Sequence, residues 1–71
     1  MRLIQFDSEK ALNGARLAMR DKREVINFRH SMGSTDRFVF EHGEQSFICY
    51  GDGRTSIYCD SDSDLFLVDE N

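Results

Sequence analysis

The chain contains no proline. No proline-rich spacer is therefore encoded, and nothing along its 71 residues marks a linker or a repeat. One domain spanning residues 1–71 is the expectation. Only two cysteines are present, Cys49 and Cys59. They supply neither a disulfide array nor a Cys-x-x-Cys pair. The longest apolar run, Leu65-Phe66-Leu67-Val68, is far too short for a membrane span. No basic segment leads into an apolar stretch of signal-peptide length. A cytoplasmic protein with reduced thiols and no membrane contact is predicted.

Catalytic signatures are scarce as well. None of the serines lies in a Gly-x-Ser-x-Gly elbow. Gly51-Asp52-Gly53 precedes a strand-like segment, not a helix, so it lacks the amide cradle of a phosphate loop; a hairpin turn accounts for it. His30, His42, Cys49 and Cys59 are spaced unlike any common zinc site. The stretch from Asp60 begins like a calcium loop, Asp-x-Asp-x-Asp. Leu65 then stands where the loop needs glycine, and Asn71 where it needs a bidentate glutamate. The reading is of a protein that is not an enzyme and carries no cofactor or metal.

What the chain does have is charge, unevenly placed. The formal net charge is −4. Residues 1–40 hold eight Lys/Arg against five Asp/Glu, a net +3, whereas residues 41–71 hold Arg54 alone against eight acids, a net −7. Such a split suggests a dipolar surface with a partner on at least one side.

Hydrophobic periodicity sets the expected fold. Arg2–Phe6 reads as a short strand. Asp7 or Ser8 caps a helix predicted to run to about Lys22, with Ser8, Ala11, Leu12, Ala15, Ala18 and Met19 on one face and Leu17 off it. From Glu24 the period becomes two. Strands are predicted over 24–30, 36–42, 45–50, 54–60 and 65–68. Pairing them as consecutive hairpins sets Phe28 against Phe38, Ile26 against Phe40, Phe40 against Phe47 and Phe38 against Cys49. It also sets Cys49 against Thr55, Phe47 against Ile57, Cys59 against Leu65 and Ile57 against Leu67. His30 would lie opposite Asp36. Every apolar partner then falls on one face, which a one-residue slip would destroy. The predicted fold class is α+β: a short N-terminal strand and one helix packed on a five-stranded antiparallel β-meander. Both thiols would point into the core. Val39 would face Ile48, and Tyr58 would face Phe66, on a mixed second face.

Three functional readings follow. The first is a small acidic protein-binding module or inhibitor. It would occlude a larger nucleic-acid-handling partner with a basic surface by nucleic-acid mimicry, as a phage-type anti-defence antagonist of a host nuclease complex would. Asp52, Asp60, Asp62, Asp64, Asp69 and Glu70 would supply the charge, and Tyr50, Tyr58 and Phe66 the anchors. The alternative is a homo-oligomeric structural or regulatory subunit, such as a homodimer, joined through the mixed sheet face. The third is nucleic-acid binding through Arg16, Arg20 and Arg23 on the basic helix. Glu9, Asp21 and Glu24 interleave with those arginines, and no aromatic-rich RNA-binding motif is present, both of which weigh against it.

Overall fold

The computed structural model describes residues 2–69. Strand β1 (Arg2–Ile4) leads to Asp7, whose extended backbone and side chain cap helix α1 (Ser8–Leu12). The Asp7 carboxylate accepts the amides of Glu9 at 3.0 Å and Lys10 at 3.3 Å. Those amides have no partner within the helix, so the cap supplies one. The helix ends after five residues, not at Lys22. Asn13 closes it, and Gly14 takes a φ of 96°, the left-handed turn that commonly follows a helix C-terminus. Helical periodicity runs on through Asn13-Gly14, but the backbone reverses there.

Beyond Gly14 the chain forms β2 (Leu17–Met19), all of it buried. Leu17, expected off the apolar stripe, is a core residue. The turn after Met19 is tight: Lys22 donates its amide to the Met19 carbonyl, and Met19 donates to that of Arg23, both at 2.8 Å. Lys22 adopts a φ of 72° to make it. The returning segment pairs with β2 through Ala18 and Glu24, and Val25 donates to the Leu17 carbonyl. It then enters β3 (Ile26–His30), which with β4 (Arg37–His42) and β5 (Gln45–Tyr50) forms a three-stranded antiparallel sheet in the order β3-β4-β5. The last strand, β6 (Leu65–Asp69), lies between β1 and β2 in a second antiparallel sheet, β1-β6-β2.

The fold is therefore a small α+β protein with two three-stranded sheets instead of one five-stranded meander. The core lies between them. Leu17 opposes Leu67 and Met19 opposes Leu65 in one sheet; Phe38 opposes Cys49 and Phe40 opposes Phe47 in the other. Phe6 and Ala11 complete this core, and Phe28 stacks on Phe38 with ring centroids 4.8 Å apart.

The expected β4–β5 register is found, including Val39 opposite Ile48. The β3–β4 register is not. His30 opposes Phe38 instead of Asp36, and Ile26 opposes Glu41 instead of Phe40. A register shift between Ile26 and Arg29, where Asn27 has a φ of 56°, separates the two. One extra residue on a strand offsets every pair beyond it.

The larger correction concerns residues 54–60, which form no strand. A hairpin begins as expected: Tyr50 donates to the Arg54 carbonyl at 2.8 Å and Gly53 to that of Tyr50 at 2.9 Å. The chain then leaves the sheet. Thr55 is not opposite Cys49, and Leu65 and Leu67 face β2 instead of Cys59 and Ile57. Cys59 is exposed.

Gly53 sits where two constraints coincide. Its φ is 85°, and a Cβ there would lie 2.8 Å from Cγ of Phe6. Its carbonyl accepts the Leu65 amide at 2.8 Å, tying the turn to β6. Gly53→Ala should cost roughly 2–4 kcal/mol from left-handed strain and overpacking, lowering Tm by about 10–25 °C for a domain of this size. Gly51→Ala, whose Cβ would meet nothing nearer than the Asp36 carbonyl at 3.7 Å, should leave the melting curve almost in place. Equal effects of the two substitutions would contradict this packing.

Candidate functional site: an anchored acidic loop

Residues 51–64 connect β5 to β6 and hold most of the side chains singled out by the sequence. At its start, Asp52 accepts the Arg54 amide at 3.1 Å and stabilises the glycine turn. At its end, Asp64 is 1 % exposed. One Asp64 carboxylate oxygen accepts the Thr55 amide at 2.9 Å and the Thr55 hydroxyl at 3.2 Å. The other accepts the Ser61 amide at 3.0 Å and Nη2 of Arg20 at 3.1 Å. A buried carboxylate needs this degree of compensation to stay ionised. Burial pushes the Asp64 carboxyl up, but the amides of Thr55 and Ser61, the Arg20 guanidinium and the Thr55 hydroxyl together outweigh it and hold the group below its ordinary value.

Arg20 is the second anchor. Its amide donates to the Asp64 carbonyl at 2.8 Å, and its Nε donates to the Ser61 carbonyl at 3.1 Å. Nη2 also lies 3.7 Å from Asp60, and Arg54 approaches the same Asp60 oxygen at 3.4 Å. The Arg20 guanidinium lies 4.9 Å from the Phe66 ring centroid. One arginine from the β2 turn thus gathers both ends of the acidic segment.

Between the anchors the loop projects. Tyr58 donates its amide to the Ser56 hydroxyl. The Ile57 and Tyr58 side chains reach solvent, at 61 % and 89 % exposure. Tyr50, Asp52, Arg54, Ser56 and Ile57 line a half-open depression of about 270 Å³ beside them.

The residues expected to form one acidic surface are thus divided. Asp52, Asp60 and Asp62 stand exposed on the loop. Asp64 faces inward and cannot present charge to a partner. Asp69 lies on β6, 3.9 Å from Arg2, and Glu70 lies outside the described residues. Tyr50 lies on β5, with the Arg37 guanidinium 5.2 Å from its ring centroid. Phe66 pairs with Ala18 across the sheet instead of with Tyr58.

Among the described residues there is no basic helix, because Arg16, Arg20 and Arg23 all lie beyond α1. Arg16 pairs with Glu24, Arg20 serves Asp60 and Asp64, and Arg23 holds Asp21 at 2.7 Å. Sequence reasoning missed Arg54, Thr55 and Ile57 as parts of this region. The available signal was Ser61-x-x-Asp64 just before an apolar strand: it closes a turn in which Asp64 donates its amide to the Ser61 carbonyl at 3.1 Å.

The two thiols differ sharply. Cys49 is buried, which, with the charges of Asp52 and Asp64, pushes its pKa up to about 12. A thiol in that state is unreactive at neutral pH. Among the described residues no three or more His, Cys, Asp or Glu side chains are grouped as metal ligands would be, and no helix is long and apolar enough to cross a membrane.

Two measurements test the site. Asp64→Asn should cost on the order of 2–3 kcal/mol, because it removes an acceptor from a buried cluster of donors. The folded carboxyl titrates below its unfolded value, so its contribution is complete above about pH 4 and is lost as pH falls through the depressed folded value. The stability gap between wild type and variant should therefore close on acidification; a gap constant down to pH 2 would contradict the assignment. Iodoacetamide should modify Cys59 in the native protein and reach Cys49 only after unfolding; equal labelling of both would contradict the burial of Cys49.

No family model matches the chain, and no curated protein or solved structure matches it either.

Proposed function

We propose that this chain is a non-catalytic protein-binding module whose contact surface is the 51–64 loop. Its partner would present a basic groove, as nucleic-acid-handling proteins do. The observation carrying this reading is the exposure of Ile57 and Tyr58 on a loop whose two ends are fixed. A long connection tethered by a buried carboxylate and two arginines loses little further entropy on binding. Large apolar and aromatic side chains at its tip are the residue types that dominate binding energy once desolvated. The flanking Asp52 and Asp62 supply a negative rim that steers a cationic surface toward the tip. The depression beside Tyr50 and Ile57 offers room for one inserted side chain.

The test uses the immobilised protein and a native lysate, with captured proteins identified by mass spectrometry. Ile57→Ser with Tyr58→Ser should abolish capture of the specific partner while leaving the melting curve unchanged, since both residues are exposed. Asp52→Asn with Asp62→Asn should slow association and flatten its dependence on salt. Partner binding that survives both pairs of substitutions would remove the loop from consideration.

A further inference from the structure

The edges of the two sheets are not equally protected. β1 is a three-residue edge and carries Arg2. The outer side of β2 is covered by the segment holding Glu24 and Val25. The edge of β3 is broken by its register shift, and Arg29 donates to the Asn27 carbonyl there at 2.6 Å. Shortness, charge, bulges and covering segments are the usual guards against edge-to-edge pairing. β5 has none of them along Gln45–Cys49; only its last residue, Tyr50, is held from outside, by the Arg54 carbonyl. The strand is six residues long, Gln-Ser-Phe-Ile-Cys-Tyr, without charge and in unbroken register with β4.

The hydrogen-bond pattern fixes which groups this edge offers. The Tyr50 amide donates to Arg54, so it points away from β4. Alternation along an antiparallel strand then turns the amides and carbonyls of Ser46 and Ile48 outward as well, while Gln45, Phe47 and Cys49 serve β4. Neither Ser46 nor Ile48 has a backbone partner on that side among the described residues. Ile48 is 58 % exposed.

From this edge we infer that β5 pairs with β5 of a second copy, antiparallel and about a twofold axis through Phe47. Ser46 of each copy then faces Ile48 of the other, and reciprocal hydrogen bonds satisfy the outward groups of both residues in both chains. The two Phe47 rings meet on the core side. Pairing stops at Tyr50, whose amide Arg54 already holds. There the register brings Glu44 of one copy to the end of the strand occupied by Arg54 of the other. Glu44 is exposed, but the Arg54 guanidinium already lies 3.4 Å from Asp60, so the self-complementarity of the contact rests on the reciprocal backbone pattern and not on charge. A twofold contact is closed, and the guarded β3 edge prevents further growth into a fibre. This association does not depend on the 51–64 loop being a binding surface.

Sedimentation equilibrium of the full chain tests the inference. Wild type should approach twice its 8.2 kDa mass with rising concentration, and Ile48→Lys should remain at the single-chain mass with an unchanged circular dichroism spectrum. Tyr58→Ser should dimerise like wild type. Register is read by oxidative cross-linking on a Cys59→Ser background. Ser46→Cys combined with Ile48→Cys should give a covalent dimer. Neither substitution should do so alone, because like positions then lie beyond the roughly 7 Å Cα separation a disulfide tolerates. A wild type that stays monomeric to millimolar concentration, or a dimer indifferent to Ile48→Lys, would overturn the interface. Cross-linking by Ile48→Cys alone would overturn the register.

Discussion

The buried carboxylate of Asp64 is the constraint around which the 51–64 segment is arranged. It receives hydrogen bonds from Thr55 and Ser61 of its own loop and from Arg20 of the distant β2 turn, and it does so 1 % exposed. An ionised group in such a place is strongly destabilising unless fully satisfied, so the groups around it have little freedom to move. Thr55 must turn inward, which takes its amide away from any strand ladder. Arg20 must lie across the loop, which fixes the turn after β2. With Thr55 held, residues 56–59 cannot extend β5's sheet, and β6 is left to pair with β1 and β2. The division into two sheets and the projecting loop are both consistent with this one satisfied charge.

What was legible in the sequence divides along the same line. The β4–β5 hairpin was readable to the residue, since alternation and the Gly43-Glu44 turn agreed and nothing competed with the ladder. The helix was overextended because Ala15, Ala18 and Met19 fit a helical stripe as well as a strand; the deciding residues were Asn13 and Gly14, whose reversal a periodicity count ignores. The 54–60 strand failed for a different reason. Alternation of Thr55, Ile57 and Cys59 with polar residues is sound β patterning, yet a side-chain acceptor from nine residues away claimed the Thr55 amide. Competition of this kind between side chain and backbone is invisible to patterning. For the site, Asp52 and Asp62 lie in turns as expected, whereas Tyr58 was expected on a strand opposite Phe66 and lies on the loop, and Asp64 was counted as surface charge because its neighbours are acidic and polar.

The charge split takes on a different meaning in three dimensions. Arginines of the basic half meet acids of the acidic half: Arg2 with Asp69, and Arg20 with Asp60 and Asp64. Antiparallel return of β6 beside β1 and β2 makes these encounters a consequence of topology. Part of the asymmetry is thus internal complementarity between the two ends of the chain. Exposed pairs such as Arg2 with Asp69 add little stability; Arg20 with Asp64 matters more, because one partner is out of water and the other partly so.

That internal pairing also decides how much charge the loop can show. Asp64 is consumed by the fold, and Asp60 lies between Arg20 and Arg54. Asp52 and Asp62 are left as the uncompensated acids nearest the tip. A row of alternating aspartates therefore acts less as a uniform anionic strip than as a graded one, neutral at its root and negative at its outer rim. Such a gradient places the apolar Ile57 and Tyr58 between a rigid base and a charged border. Association through that surface would rest on the two apolar side chains for affinity, with the remaining acids governing approach and orientation.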